Sequence, residues 1–114
     1  MDTTEITRTE QVTDGLDTIV WTLIEDGVEI AHLDAHVSGL ILNVEVDDDR
    51  RGEGHARRLF EHADADLGLY HVPSWGRAPE GQIFADAMGG DTMDDERACE
   101  ILGLDLDVVA NNYA

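Results

Sequence analysis

Four of the chain's seven arginines, Arg50, Arg51, Arg57 and Arg58, fall within nine residues, and Gly52 and Gly54 lie between them with Glu53, His55 and Ala56. An acidic chain that gathers its cations in one place points to an anion bound there. Glycine lets a backbone come close to a ligand without an intervening Cβ. The first N–H groups of a helix, with the positive end of its dipole, make an anion site. Glycines, a helix start and guanidinium groups together suit a pyrophosphate. The bland alternative is a solvated turn whose arginines pair with nearby carboxylates. Other phosphate loops fit less well. A P-loop needs Gly-Lys-Ser/Thr, and the chain has no lysine. The dinucleotide pattern wants three glycines in a parallel sheet.

Other groups are chemically suggestive. His32, Asp34 and His36 stand at i, i+2 and i+4, so a strand would project all three to one face. Imidazoles and a carboxylate so arranged could take a metal, but histidines on the wet face of a strand are commoner, and no metal is assigned. His55 and His62 are expected on the solvated side of a helix. Trp75, in Pro73-Ser74-Trp75-Gly76-Arg77, is expected either to line an acceptor pocket or to cap the core. Cys99 is expected to be buried on a late helix.

The elements that must position these residues are read from periodicity. Thr3 to Val12 suits an edge strand, and Thr13-Asp14-Gly15 is a turn signal. Asp17 to Glu25 is β-branched and aromatic and reads as a strand. Asp26-Gly27 is a strong hairpin signal. From Val28 to Val37, Val28, Ile30, His32 and Asp34 alternate with Glu29, Ala31, Leu33 and Ala35, which predicts a half-buried strand. Leu40 to Val46 forms the next. The period then changes: Ala56, Leu59, Phe60, Ala63 and Leu67 make one helical stripe, with Gly68 as its stop. Leu69 to Val72 is a short strand ended by Pro73. A second helix is predicted from Pro79 to Met88 and ended by Gly89-Gly90. A third runs from Asp94 to Leu102 and stops at Gly103. A last strand is expected from Leu104 to Val109. The order β-β-β-β-α-β-α-α-β predicts an α+β fold on one mostly antiparallel sheet with one parallel crossover.

Composition bounds the class. The chain has 114 residues, 42% of them hydrophobic, which suits one domain over 1–114 with a real core. A single cysteine excludes an internal disulfide and a cysteine-rich zinc site. The opening residues, MDTTEITRTEQ, lack the basic and apolar regions of a signal peptide, and a cytoplasmic location without membrane contact is expected. Twenty-six acidic residues give a formal charge of -19, which repels nucleic acid and anionic membranes. Direct nucleic-acid binding is therefore not expected. Such a charge fits the proteome of a halophilic or high-GC source, a surface for a basic partner, or imitation of DNA phosphates.

The junction from Val44 to Leu59 resembles that of the GNAT acyltransferases, which carry Arg/Gln-x-x-Gly-x-Gly/Ala between a strand and a helix. Arg51, Gly54 and Ala56 stand at its defining positions, with Gly52 as in the common Arg-Gly-x-Gly form. The resemblance covers about residues 17–90 and is specific at the loop. It implies a GNAT-like mixed sheet with a splayed parallel strand pair and two or three flanking helices. It also implies that Val46, Arg51, Gly52, Glu53, Gly54, His55, Ala56 and Arg57 bind acetyl-CoA as cosubstrate. Glu45 and Val46 would lie beside the pantetheine arm, with Leu69 to His71 as the partner strand. Glu45 is then the candidate base, directly or through water, and His71 and Tyr70 are candidate acids. The family's usual tyrosine acid is missing, because its slot falls on Ala85.

The activity so implied is transfer of an acetyl group from acetyl-CoA to an amine, with a protein lysine or a polyamine suiting the negative charge. A small acyltransferase domain of this kind also resembles phage-encoded ones aimed at host defence proteins, a role that would suit a polyanionic surface. The competing expectation is a non-catalytic acidic interaction protein or DNA mimic that keeps the fold without turnover. A homodimer is compatible with either.

Overall fold

The computed structural model describes residues 4–73 and 79–104. It is mixed α+β, with a four-stranded antiparallel sheet, a small parallel pair and three α-helices among the described residues. The chain divides into two compact units, Met1–Leu69 and Tyr70–Ala114.

In the first unit, β1 (Thr4–Thr13), β2 (Leu16–Glu25), β3 (Val28–His36) and β4 (Ile41–Val46) lie side by side in chain order, each antiparallel to the next. Both first hairpins close on two-residue Asp-Gly turns. Asp14 and Gly15 have φ of 51° and 80°, and Asp26 and Gly27 have 52° and 81°. Positive φ at both central residues matches the right-handed twist of the flanking strands, and Asp-Gly tolerates it.

Alternation buries one face of this sheet. Ile19, Trp21 and Leu23 of β2 and Ala31, Leu33 and Ala35 of β3 are buried, and Trp21 stands opposite Leu33. Helix α1 (His55–Leu67) packs against β2, β3 and β4 and buries Leu59, Phe60 and Ala63 of the predicted stripe. At about 1.5–3 kcal/mol for each large apolar side chain removed from water, this face is the unit's main source of stability.

Ile30 departs from the predicted alternation. The β2–β3 register runs from Leu23↔Ala31 to Ile24↔Glu29, so Ile30 is an extra residue at a bulge. The bulge turns Ile30 inward, where it is 3% exposed, instead of leaving it on the side of His32. A second shift, from Asp34↔Asn43 to Ala35↔Ile41, skips Leu42.

In the second unit, β5 (Tyr70–His71) pairs in parallel with β6 (Asp91–Thr92), a strand that periodicity alone does not reveal. Helix α2 (Pro79–Met88) ends where predicted, with Gly89 N–H donating to Ala85 O at 2.9 Å. Helix α3 (Asp95–Leu102) is capped by Asp94, whose side chain accepts Arg97 N–H at 2.9 Å. Gly103, at φ 71°, ends it in the left-handed region as the sequence implied. Cys99 is buried on this helix. The expected strand from Leu104 to Val109 falls, beyond Leu104, outside the described residues, as does Trp75.

Candidate functional site

The arginine- and glycine-rich segment joins β4 to α1. Val46 ends the strand, a short 3-10 helix spans Asp48–Arg50, and α1 starts at His55. Gly52 and Gly54 have φ of 82° and 87°, and a Cβ built on either meets nothing within 4 Å. Backbone conformation, and not crowding by the protein, is what calls for glycine there. Gly54 is the N-cap of α1 and accepts Arg58 N–H at 3.0 Å, and no side chain caps this helix end. Its first turn has no acidic residue but includes Arg57 and Arg58. That choice runs against the dipole, which favours anions at an N-terminus. Helix α3 shows the ordinary solution, with Asp94 as cap and Asp95 and Glu96 in the first turn.

The arginines are not equivalent. Arg50 is held by Glu25 of β2, with Nη2 donating to Oε2 at 2.5 Å, and by Glu53 at 3.0 Å. Hydrogen bonds donated to Glu53 and then to Glu25 hold its pKa above the ordinary arginine value. Glu53 is correspondingly held below the carboxylate range, first by Arg50 and then by His55. His55 Nε2 lies 2.9 Å from Glu53 Oε1, and its side chain is only 11% exposed, deeper than the solvated position expected of it. Arg51 is more open. Its side chain is 66% exposed, with a long 3.5 Å contact to Val46 O and a 3.2 Å pair with the exposed Asp48. Gly52, Glu53, Gly54 and Arg57 are exposed, and Ala56 is half-buried.

Beside Arg51 the sheet opens into a cleft of about 570 Å³. Glu29, Glu45, Asp47 and Asp48 bring carboxylates to it, and His32 and Arg51 bring nitrogen. Within the four-stranded sheet β4 is an edge, paired only with β3. Cross-strand pairing sets Glu45 opposite His32. His32 Nε2 lies 3.1 Å from Glu45 Oε2, and Nδ1 lies 2.9 Å from Asp34 Oδ1. Burial alone would push the imidazole pKa down, but the hydrogen bonds and charges of Asp34 and Glu45 together outweigh it and hold it raised. Glu45 is held below the usual carboxylate range, first by a hydrogen bond from Asn43 and then by His32.

His36 turns to a different partner, its Nδ1 standing 2.7 Å from Ser38 Oγ and accepting Ser38 N–H at 3.1 Å. Among the described residues no group of three metal-ligating side chains converges. The i, i+2, i+4 pattern thus yields a hydrogen-bonded His32–Asp34 pair.

Tyr70 and His71 belong to the second unit, where their hydrogen-bonded strand partner is β6. Tyr70 is 39% exposed. His71 is buried, its Nε2–H donates to Gly89 O, and its ring meets Phe84 edge-on at 5.8 Å. Its partner Gly89 lies just past the end of α2. Ala85, at the slot where the resemblance would put tyrosine, is buried. Sequence reasoning singled out His32 only as a metal candidate, and its cross-strand contact to Glu45 depends on a register that no sequence motif declares.

No helix among the described residues is long and apolar enough to cross a membrane. No protein-family model matches the chain, and no curated protein matches it in sequence.

Proposed function

We propose that the chain is a small GNAT-type N-acyltransferase that takes acetyl from acetyl-CoA to a cationic amine. The observation that carries this reading is the start of α1. Its N-terminus has glycine where a capping side chain would stand and arginines where acidic residues would complement the dipole. A bound diphosphate would relieve that conflict, since backbone N–H groups and guanidinium groups would both meet negative charge. Gly52 and Gly54 leave open space above the backbone for it. The outer edge of β4, with Val46 at its end, has no further strand beside it in the four-stranded sheet and would offer backbone groups to the amides of a pantetheine arm. Glu45, kept ionised at the cleft, would hold the acceptor's ammonium. A lysine side chain or a polyamine fits the carboxylates there by charge.

The cleft also favours a second reading, a non-catalytic acidic protein that binds a basic partner, because four carboxylates face one arginine across it. Isothermal calorimetry with acetyl-CoA separates the two. The acyltransferase reading expects saturable binding that weakens about 10- to 100-fold in Arg51→Ala, the worth of one charge-assisted hydrogen-bonding group. No heat of binding with the wild-type protein, together with capture of a basic protein, would leave the second reading.

A further inference from the structure

We propose that His32 is the proton acceptor for the amine, with Asp34 as the residue that fixes its tautomer. This rests on the acyltransferase reading and adds a group that the loop resemblance does not include. The geometry is a chain across two strands: Asp34 Oδ1 is 2.9 Å from Nδ1, and Nε2 is 3.1 Å from Glu45 Oε2 at the wall of the cleft. Asp34 accepts Nδ1–H, so in the neutral ring the lone pair sits on Nε2, the nitrogen that faces the cleft. The residue is 24% exposed, enough to be reached and shielded enough to feel its neighbours.

The groups facing His32 are Asp34 on its own strand, Glu45 on β4, and Glu29, Asp47, Asp48 and Arg51 around the cleft. Its partner on β2 is Thr22, which does not titrate. Burial pushes the ring's pKa down, but the hydrogen bonds and charges of Asp34 and Glu45 hold it raised. An arriving ammonium changes that. It takes up the charge of Glu45, and a like charge beside the ring drives any proton on Nε2 off to water, leaving the neutral ring. Binding of the substrate thus produces the base.

The step then balances. The acceptor R–NH3+ gives one proton to His32 Nε2, and its lone pair attacks the thioester carbonyl. The N–C bond forms, the C–S bond breaks, and the electron pair leaves on sulfur. A second nitrogen proton goes to the thiolate, giving the amide, CoA thiol and one proton held on His32 for release to water.

Two measurements test this on the full chain, with spermidine as the amine. In the first, NMR follows the His32 ring through a pH titration. The ring should titrate above free imidazole, fall in Asp34→Asn, and fall on saturation with spermidine in the wild type but not in Glu45→Gln. A spermidine-insensitive ring overturns the proposal. In the second, acetyl transfer from acetyl-CoA to spermidine is followed against pH. His32→Gln should lose about 100-fold or more in kcat and lose the acidic limb of the profile, with calorimetric acetyl-CoA affinity unchanged. If His32→Gln binds acetyl-CoA and keeps the wild-type profile, the role of His32 is refuted while the acyltransferase reading stands. If the wild type binds no acetyl-CoA, both fall together.

Discussion

The indole N–H of Trp21 donates to Asp66 Oδ2 at 3.0 Å, and the same oxygen accepts Arg8 Nε–H at 2.9 Å. Trp21 is fully buried in β2, Arg8 lies on β1, and Asp66 stands in the last turn of α1. One carboxylate therefore ties the helix to two strands. Without it the indole N–H would be left with no partner inside an apolar face, a costly arrangement. Fixing the C-terminal end of α1 also fixes the direction in which its N-terminus, with Gly54, meets the loop.

Asp66 should make the protein acid-sensitive. Its pKa is held below the ordinary aspartate value, first by the Trp21 hydrogen bond, which burial opposes, and then by Arg8. A depressed folded value means that the stabilisation is complete above the unfolded pKa, about 3.9. It is lost as pH falls through the folded value. Thermal unfolding followed by circular dichroism should therefore show a wild-type midpoint that drops below about pH 4 more steeply than that of Asp66→Asn. Parallel curves for the two proteins would remove Asp66 from the acid transition.

Asp94→Ala should cost about 1 kcal/mol, the usual worth of an N-cap. Its side chain accepts Arg97 N–H at 2.9 Å at the start of α3, and alanine leaves that donor to water alone. Urea unfolding should show a lower midpoint with an unchanged slope. Asp94→Asn, which can cap as well, should restore most of the loss.

Much of the fold was legible because local chemistry agreed with the global pattern. Asp14-Gly15 and Asp26-Gly27 declare their turns through the positive φ that each demands. Gly68, Gly89 and Gly103 mark helix ends as expected. What escaped was non-local. Ile30 is buried through a bulge that depends on how β2 and β3 twist together. The short 3-10 turn at Asp48–Arg50 has no apolar period to announce it. At the site, the loop was readable as a string of residue types. The loss of Arg50 to Glu25, 25 residues away, and the meeting of His32 with Glu45 follow from strand register. His71 illustrates the same limit, since its partner Gly89 lies 18 residues on.

Gly54→Ala separates backbone strain from ligand contact. At φ 87° an alanine is strained, but its methyl group meets no protein atom within 4 Å. Its effect on stability should thus be about 1–2 kcal/mol, the cost of a left-handed conformation. If the diphosphate of acetyl-CoA lies against this backbone, affinity measured by calorimetry should fall at least tenfold under conditions where the variant remains folded. Equal affinity in wild type and variant would place the ligand elsewhere.

Glu53→Gln should strengthen acetyl-CoA binding, which is the less intuitive consequence of the loop's charge arrangement. Glu53 lies between Gly52 and Gly54, is exposed, and is held firmly ionised by Arg50 and His55. It therefore places a negative charge inside the segment proposed to meet a diphosphate. Glutamine keeps the length and an acceptor oxygen for Arg50, and removes the charge. One unit charge a few ångströms away in water is worth about a fivefold change in affinity, so calorimetry at low salt should show tightening of about that size. The gain should shrink as salt is raised, because exposed charges are screened within about 10 Å at 0.1 M. A Glu53→Gln protein that binds more weakly at every salt concentration would mean that the carboxylate orders the loop through Arg50, and that this ordering outweighs its repulsion of the ligand.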